Sequence, residues 1–314
     1  MNWKPSASIT ALRQRQRIIQ KIRCFFEGRG YCEVDTPLLG RYGVTDPYID
    51  SFTTQSSVDQ SVQYLQTSPE YFMKRLLASG SGPIFQICKA FRQEEEGRQH
   101  NPEFSLLEFY QPGFTHLELM EEVDTLLQHV LKTPPAARIT YAELFQRHLN
   151  IDPHKISLHQ LQQRTQSLLS NDHDSIDRDT CLQLLLTHEI EPQMSAKHPL
   201  FITDFPASQA ALAKISTQQP PVAERFELYY QGMELANGFH ELTDAKEQQQ
   251  RFQSDQHLRQ AQQKAVPSID SKFIDCLTHL PPCAGVAIGI DRLIMLALET
   301  DDIRDVLSFA WEQR

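Results

Sequence analysis

The sequence lacks any long hydrophobic run. Its longest apolar stretches, such as GVAIGI at 285–290, are far shorter than the roughly 20 residues that a membrane-spanning helix requires. The N-terminal sequence MNWKPSASIT also has no apolar segment of the kind found in a secretory signal. We therefore expect no membrane partner and a cytoplasmic location.

Cysteine is scarce and lacks the spacing of a metal site. The six cysteines stand at positions 24, 32, 88, 181, 276 and 283, with no CxxC pair and no cysteine–histidine ligand pattern. Thiols spread in this way indicate reduced, structural cysteines, and they argue against a disulfide framework or a cysteine-based zinc site.

Positive charge is in deficit. The chain has 30 Lys and Arg against 40 Asp and Glu, a formal net charge of −10. A broad basic face dominates affinity for nucleic acids, so this balance predicts no tRNA partner. The one basic run, RQRQR at 13–17, is interpreted as the solvated face of a helix. The opposite face of that helix carries Ile18, Ile22, Phe25 and Phe26.

The length and composition fit one large globular domain. Cores rarely grow beyond about 250–300 residues, so 314 residues indicate one domain or one domain with an insertion. Hydrophobic residues make up 40% of the chain and charged residues 22%, which gives no sign of disorder. Between about 133 and 220 the chain becomes polar and rich in Gln and His, which predicts a helical insertion or connecting module within a domain spanning 1–314.

Hydrophobic periodicity predicts strands paired in hairpins and helices grouped apart from them. Helices are predicted at 9–27, 117–132, 246–264 and 290–299, with another beginning at Ser68-Pro69-Glu70, and strands at 84–94, 103–111, 284–289 and within 222–245. Gln231-Gly232 and Asn237-Gly238 are interpreted as turns. This arrangement predicts an α+β fold with an antiparallel sheet flanked by helices.

The segment FRQEEEGRQHNPEFSLLEFY places polar groups on the predicted sheet. Alternation puts Arg92 and Glu94 on one face of the first strand, and Phe104, Glu108 and Tyr110 on one face of the second. A buried, unpaired carboxylate is costly, so a polar ligand across the sheet explains the pattern. A surface hairpin with ion pairs is the alternative. Arg92 suits a phosphate, and Phe104 suits stacking on a purine.

A second segment, MELANGFHELTD, carries Glu234 and Glu241, seven residues apart. An unbroken strand would send them to opposite faces. If Asn237-Gly238 forms a hairpin turn they face each other, and if it forms a bulge the extra residue restores a shared face. Either arrangement favours a cation between the carboxylates, and oxygen ligands favour Mg²⁺. A pair sharing one proton is the alternative.

The third segment, GVAIGIDRLIML, is a buried strand followed by a helix. Gly285 and Gly289 flank the strand, and Arg292 lies in the first helical turn, where free N–H groups favour an anion. Strand-to-helix packing explains the glycines almost as well. The three segments, with Glu70 and Glu108 for ammonium groups, predict a Mg²⁺- and ATP-dependent enzyme. It would activate a carboxylate as an acyl-adenylate and pass the acyl group to an amine.

These segments resemble the motifs of the class II aminoacyl-tRNA synthetases. GRGYCEVDTP resembles motif 1, FRQE…HNPEF…LEFY motif 2 and GVAIGIDR motif 3, and the pairing of HNPEF with GIDR is similar to the catalytic core of lysyl-tRNA synthetase. The resemblance covers nearly the whole chain except 133–220. It implies a six- to seven-stranded antiparallel sheet, a homodimer formed through motif 1, and aminoacyl-adenylate chemistry.

The resemblance also implies roles for individual residues. ATP contacts are implied for Arg92, Gln93, Glu94, Asn101, Glu234, Leu235, Gly289 and Arg292, and amino-acid contacts for Ser68, Pro69, Glu70, Glu108, Tyr110 and Glu241. Phe104 joins the first set and Ala287 the second on the residue pattern, and Glu234 and Glu241 are the predicted Mg²⁺ ligands. No covalent nucleophile is needed, because placement and charge neutralisation by Arg92, Glu241 and Arg292 suffice.

The sequence departs from lysyl-tRNA synthetase in three ways. No anticodon-binding domain is expected, Thr243 stands where an asparagine is usual, and Ala287 stands where a glycine is usual. A core without an anticodon reader resembles the lysyl-synthetase paralogues that attach (R)-β-lysine to a lysine of elongation factor P, a protein that resembles tRNA in shape. The alternatives are an amino-acid:AMP ligase acting on a tRNA or small amine, and a non-catalytic paralogue.

Overall fold

The computed structural model describes residues 3–93, 95–168, 176–194 and 197–313. Within these ranges the strands are β1 (Cys32–Glu33), β2 (Leu39–Gly40), β3 (Thr53–Gln55), β4 (Val62–Leu65), β5 (Ile84–Phe91), β6 (Glu103–Pro112), β7 (Ala137–Thr140), β8 (Leu200–Pro206), β9 (Val222–Tyr230), β10 (Met233–His240) and β11 (Cys283–Gly289). The α-helices are α1 (Ile9–Glu27), α2 (Glu70–Ala78), α3 (His116–Leu131), α4 (Tyr141–Leu149), α5 (Leu158–Thr165), α6 (Arg178–Leu185), α7 (Ala245–Ala261), α8 (Ser271–Leu277) and α9 (Ile290–Ala297).

One large sheet organises the fold. Its eight strands follow the order β1-β5-β6-β11-β10-β9-β8-β7, and β2, β4 and β3 form a separate small sheet. The six central strands of the large sheet pair antiparallel, whereas β1 and β7 at its edges pair parallel with their neighbours. The α+β prediction is confirmed, and the sheet has one strand more than the widest expectation.

One face of the large sheet is apolar and packs against α1 and α3. Helix α1 begins after the capping residue Ser8 and buries the predicted stripe at Ile18, Ile22, Phe25 and Phe26. The stripe joins a core that includes sheet residues Phe85, Leu107, Phe109, Phe226 and Val286. Removing this apolar surface from water is the main stabilising contribution to folding. Across the described ranges, no helix is both long and apolar enough to cross a membrane.

The opposite face of the sheet is polar across its centre. The strand registers place five residues in one continuous row, namely Gln86, Glu108, Ala287, Asn237 and Glu227 on β5, β6, β11, β10 and β9. Because side chains alternate along a strand, these five point to the same side of the sheet. Four of the five are polar, with Ala287 as the exception. Polar side chains in mid-sheet are typical of a ligand-binding surface, and this row positions the candidate site.

The segment from 133 to 220 is more than a helical module. It contains α4, α5 and α6, but it also supplies β7 and β8, which extend the large sheet beyond β9. Its helices bury a second core around Tyr141, Phe145 and Leu182, which β8 shares through Phe205. The sequence interpretation missed both strands because the segment is short of the long alternating runs that identify strands.

The predicted turn at Asn237-Gly238 is wrong. Strand β10 runs unbroken through both residues, and Gly238 is needed because a Cβ there would lie 2.4 Å from the Phe226 ring. The hairpin turn is the other predicted one, Gln231-Gly232, where both residues have positive φ angles. A register shift in the β9–β10 pairing lies between Glu234 and Ala236.

Candidate active site

A buried lysine links two of the predicted substrate-binding carboxylates. The Lys74 ammonium lies 2.6 Å from Glu70 Oε1 and 2.5 Å from Glu241 Oε2. Both ends of this network are held in place by secondary structure, since Glu70 and Lys74 are one turn apart on α2 and Glu241 follows β10 directly. Sequence reasoning missed Lys74, although its i,i+4 spacing from Glu70 was the available signal.

Helix α2 begins where its first residues meet the sheet. Pro69 is the capping residue, and Ser68 Oγ accepts a hydrogen bond from the Glu70 N–H at 3.1 Å. The Ser68 hydroxyl also donates to Glu108 Oε2 at 2.7 Å, and the Tyr110 hydroxyl donates to Glu108 Oε1 at 2.7 Å. The predicted substrate-binding residues of α2 and β6 are therefore adjacent.

Glycine is required at position 285 to make room for this arrangement. A Cβ on Gly285 would lie 2.1 Å from the Tyr110 ring and 2.7 Å from Glu241 Oε1. Real Cβ atoms do not approach other heavy atoms this closely, so any side chain at 285 would displace Tyr110. The absence of a side chain at 285 therefore accommodates the phenol of Tyr110 and the carboxylate of Glu241.

The pocket is short of positive charge. Glu70, Glu108 and Glu241 supply three carboxylates and Lys74 one ammonium, so these four side chains leave a formal deficit of two positive charges. Burial, followed by the charge of Glu70, raises the pKa of Glu108 to about 7. Burial raises the pKa of Glu241 to about 8 even though Lys74 opposes the change.

Glu241 has unused capacity to accept hydrogen bonds. It is 2% exposed, and within the described part of the chain neither carboxylate oxygen has a hydrogen-bond partner of normal geometry. The close contact with Lys74 is therefore an ion pair rather than an aligned hydrogen bond. Because this ion pair uses Oε2, Oε1 remains available to a ligand.

These carboxyl groups predict how stability depends on pH. Because their pKa values are raised in the folded state, protonated Glu108 and Glu241 contribute to the free energy of unfolding. This contribution is fully present below the unfolded-state pKa of about 4.3. It is lost as pH rises through the folded-state pKa values of about 7 and about 8. Without substrate, we expect the melting temperature to fall between about pH 5.5 and 8.5. Differential scanning fluorimetry measures this.

A variant and a matched control show whether these two carboxyl groups cause the pH dependence of the melting temperature. The Glu241→Gln substitution should make the melting temperature depend less on pH, because it removes the group with the higher of the two pKa values. Glu121→Gln, which changes an exposed carboxylate on α3, should leave the slope unchanged. A melting temperature that rises over this pH range in the unmodified protein would contradict the prediction.

A second acidic cluster lies at the β9–β10 hairpin. Burial, followed by the charge of Glu227, raises the pKa of Glu234 to about 7. Glu227 accepts a hydrogen bond from the Tyr229 hydroxyl at 2.9 Å and pairs with Arg225 at 2.5 Å. The register shift beside Glu234 turns its side chain to the face that Glu227 occupies.

The predicted pairing of Glu234 with Glu241 stays a prediction, because the register shift between Glu234 and Ala236 places both side chains on one face of the sheet. The two residues stand near opposite ends of a continuous strand, and at about 3.3 Å per residue their backbones are roughly 20 Å apart. The carboxylate whose charge acts on Glu234 is Glu227. The sequence contained the information for this proximity, because the turn at Gln231-Gly232 brings β10 back alongside β9 and so places Glu234 near Glu227.

A third carboxylate reaches this cluster from the 133–220 segment. Glu191 Oε1 lies 3.3 Å from the Tyr229 hydroxyl oxygen, whose one proton can be donated either to Glu191 or to the nearer Glu227. Burial raises the pKa of Glu191, and the charge of Glu227 raises it further, whereas Arg292 lowers it. The segment interpreted as a helical insertion or connecting module therefore contributes a side chain to the acidic cluster.

Arg292 lies where the three motif segments meet. Its Nη1 donates to the Glu234 carbonyl at 2.7 Å, its Nε donates to the Gln99 carbonyl at 3.3 Å, and its Nη2 lies 2.5 Å from His100 Nε2. Gly289 ends β11 and precedes α9, so Arg292 stands in the first helical turn as predicted. The guanidinium is therefore next to the acidic cluster, where a phosphate chain would need a cation.

Arg92 and Phe104 are neighbours at the end of β5 and the start of β6. The guanidinium carbon of Arg92 lies 5.1 Å from the Phe104 ring centroid, and its Nη1 lies 3.3 Å from Glu95. Its Nε is buried and has no hydrogen-bond partner in the part of the chain that the structure describes. A buried donor beside an aromatic ring suits a phosphate and a purine. Glu94 lies outside the described residues.

The other predicted ATP contacts have partners within the fold. Gln93 donates to the Ser51 carbonyl at 2.8 Å. The Asn101 amide donates to the Glu103 carbonyl at 2.5 Å and accepts from the Trp311 N–H at 2.9 Å. The side chain of Leu235 is 2% exposed and packs in the apolar core, so only its backbone could meet ATP. These three ATP roles stay predictions.

Comparison with known proteins agrees with the geometry. Residues 2–313 match the family described as tRNA synthetases class II (D, K and N). Similar curated proteins from Salmonella dublin, Salmonella heidelberg and Salmonella typhimurium are named elongation factor P–(R)-beta-lysine ligase. Each is 52% identical to this chain, and each alignment covers 98% of this chain and 97% of the relative. The chain belongs to the class II tRNA synthetase family of the D, K and N type.

Proposed function

We propose that this chain is an ATP-dependent ligase that adenylates (R)-β-lysine and transfers the β-lysyl group to the ε-amino group of a lysine on elongation factor P. The names of the relatives at 52% identity support the reaction and the protein acceptor. The observation that carries the substrate class is the formal deficit of two positive charges in the pocket of Glu70, Glu108, Glu241 and Lys74.

The substrate supplies the charges that the pocket lacks. β-Lysine carries two ammonium groups and one carboxylate near neutral pH. Buried charges are stable only when they are paired and hydrogen-bonded, so two ammonium groups among Glu70, Glu108 and Glu241 would balance the site. α-Lysine has the same charges, so the isomer is selected by where the ammonium groups sit.

The first step joins the substrate carboxylate to the α-phosphorus of ATP. A carboxylate oxygen forms the new P–O bond, and pyrophosphate leaves with the electrons of the bond that breaks. Arg92 stabilises negative charge at the α-phosphate and Arg292 braces the γ-phosphate, while Phe104 stacks on the adenine. The rate enhancement comes from placement and charge stabilisation, with no covalent enzyme intermediate.

Glu227 and Glu234 fit a Mg²⁺ ion that ATP brings with it. They are two acids on one face of a hairpin, and burial together with the charge of Glu227 raises the pKa of Glu234. A hard divalent cation, which prefers oxygen ligands, would relieve this repulsion. Glu191 stands close enough to contribute through the same cluster. Such an ion would neutralise part of the charge on the phosphates.

The second step forms the amide. The neutral ε-amine of the acceptor lysine attacks the acyl carbon, the C–O bond to AMP breaks, and the amine loses a proton. No tRNA takes part. The acceptor enters a cytoplasmic homodimer formed through the motif 1 segment, which includes the exposed edge strand β1.

Parallel exchange assays test the proposed function. ATP–pyrophosphate exchange is measured with (R)-β-lysine, (S)-β-lysine and α-lysine, followed by intact mass analysis of elongation factor P and acid-gel analysis of tRNA-Lys. We expect the fastest exchange with (R)-β-lysine, a β-lysyl mass increase on the protein, and no efficient tRNA charging. Robust lysyl-tRNA formation would favour the amino-acid:AMP ligase. No exchange with any substrate would favour a non-catalytic paralogue.

We expect the Ala287→Gly substitution to raise activity with α-lysine relative to β-lysine. Ala287 lies in β11 between Glu108 on β6 and Asn237 on β10, in the polar row of the sheet. Its methyl group occupies space that an α-ammonium or a shifted carboxylate would use. One methyl-sized difference in a pocket is worth about 1–3 kcal/mol, or roughly 10–200-fold in discrimination. The ratio of kcat/KM for the two isomers measures the effect.

The controls test whether the effect is local. Ala284→Gly makes the same change on the same strand but on its apolar side, so the ratio should not move. Glu70 and Tyr110 variants should weaken both isomers, because they would hold ammonium groups common to the two. If Ala287→Gly leaves the ratio unchanged, selectivity lies elsewhere, with Thr243 the next residue to test.

A further inference from the structure

Two histidines and a glutamate come together on the face of the sheet that packs against α3. His116 begins α3, Glu224 lies in β9 and His240 ends β10. One ligand atom from each side chain lies within 4.8 Å of those of the other two. Among residues 3–93, 95–168, 176–194 and 197–313, this is the one group of three or more His, Cys, Asp or Glu side chains close enough to hold a metal ion.

The cluster is separated from the active site by the sheet itself. Side chains alternate along a strand, so Glu224 shares the face of Phe226, which belongs to the apolar core. His240 lies on that same face because its neighbour Glu241 points to the active site. The cluster is therefore distinct from the acidic cluster at the β9–β10 hairpin and from the substrate pocket.

The cluster contains a buried acceptor that no protein group satisfies. His116 and His240 are 8% and 9% exposed, and His116 Nδ1 is buried without a hydrogen-bond partner in the described ranges. Leaving a buried polar atom unsatisfied costs about 1–3 kcal/mol. His240 Nδ1 and Glu224 Oε2 form a close contact.

We propose that His116, Glu224 and His240 bind a zinc ion. Two imidazole nitrogens and one carboxylate oxygen are a donor set that zinc accepts, with a water in the fourth position. Ligand atoms in a tetrahedral zinc site are about 3.3 Å apart, so the present spacing of up to 4.8 Å closes through small side-chain rotations. The ion ties the first turn of α3 to β9 and to the end of β10 that precedes Glu241.

Zinc binding is measured on the full chain after removal of bound metals with EDTA and return to metal-free buffer without ATP. Isothermal titration with zinc chloride should give one site per chain, and zinc should raise the melting temperature because it binds the folded state. Cobalt substitution should give d–d absorption bands without a thiolate charge-transfer band, because the cluster contains no cysteine.

Two variants and a matched control locate the site. His116→Ala and Glu224→Gln should each weaken zinc binding by at least about tenfold, since even changes to partners of metal ligands cost about 10–100-fold. Glu224→Gln keeps a polar group of the same size next to His240, so its loss of binding does not depend on misfolding. His154→Ala removes a half-buried histidine that has Asp152 beside it, and it should bind zinc as tightly as the unmodified chain.

The proposal is overturned by any of three results. The first is that the unmodified chain binds no zinc. In that case His240 and Glu224 form only an ion pair, and His116 is a neutral histidine beside it. Zinc could bind with affinity unchanged by both His116→Ala and Glu224→Gln. Cobalt could give a thiolate band that persists in both variants, which would place the metal on the exposed cysteines Cys24 or Cys32.

Discussion

The Glu234→Gln substitution is expected to slow adenylate formation by on the order of 100- to 1,000-fold, the range seen when one preorganised electrostatic contact to a transition state is removed. Glu234 is buried beside Glu227, and burial, followed by the charge of Glu227, raises its pKa to about 7. An amide cannot replace the carboxylate as a strong Mg²⁺ ligand. ATP–pyrophosphate exchange at saturating β-lysine, measured across a Mg²⁺ titration, gives the effect.

Comparing three variants distinguishes the two possible carboxylate pairs. Glu227→Gln should raise the Mg²⁺ requirement as Glu234→Gln does, because the hairpin places both on one face. Glu241→Gln should instead raise the KM for β-lysine, since Glu241 lies with Lys74 in the substrate pocket. The exposed-site control Glu121→Gln should change neither. A Mg²⁺ dependence that shifts in Glu241→Gln and not in Glu227→Gln would support the pairing expected from the sequence.

Periodicity was enough to predict most of the scaffold. The helix predicted at 9–27 has those bounds in the structure, and those predicted at 117–132, 246–264 and 290–299 correspond to α3, α7 and α9. These segments have a strong helical repeat and recognisable end signals. Such local features can be identified from the sequence without knowledge of the tertiary contacts. The polar row of the sheet followed from the same kind of reasoning, because alternation alone put Glu108 and Tyr110 on one face.

The errors arose where a local signal had two physical meanings. Asn-Gly favours a hairpin turn, but Gly238 is a glycine because the Phe226 ring packs against it from the neighbouring strand. Only the strand pairing distinguishes these two reasons for a glycine. The same misreading left Glu227 out of the predicted site, although the turn at Gln231-Gly232 is predicted correctly.

Other residues of the site depend on contacts that are distant in sequence. In the sequence, Lys74 looks like an ordinary helix residue. In the structure it is fully buried and pairs with Glu241, which directly follows β10. Glu191 reaches Tyr229 from a segment whose composition suggests an insertion or connecting module. Neither contact could be predicted without the topology, because a charged side chain is identified as functional mainly by what it is buried against.

Lys74 is the residue whose replacement should affect the fold most. The Lys74→Met substitution preserves most of the side-chain volume but leaves Glu70 and Glu241 without their cation. Removing one partner of a buried ion pair costs about 3–5 kcal/mol, and we expect a loss of that size in the free energy of unfolding at about pH 8. The loss should be smaller near pH 6 because Glu241, whose pKa is already raised to about 8, can then take up a proton. Urea unfolding followed by circular dichroism measures both values.

Two further variants separate the loss of the cation from the loss of packing. Adding Glu241→Gln to Lys74→Met should recover part of the lost stability, because the second substitution removes one of the carboxylates left unpaired. Lys89→Met removes a partly exposed lysine that lies 3.7 Å from Glu103, and it should cost less than about 1 kcal/mol, as exposed ion pairs do. If Lys74→Met were as mild as Lys89→Met, or if Glu241→Gln added a further loss, the charge balance inferred for the pocket would be wrong. The case for a diammonium substrate would then lose its physical basis.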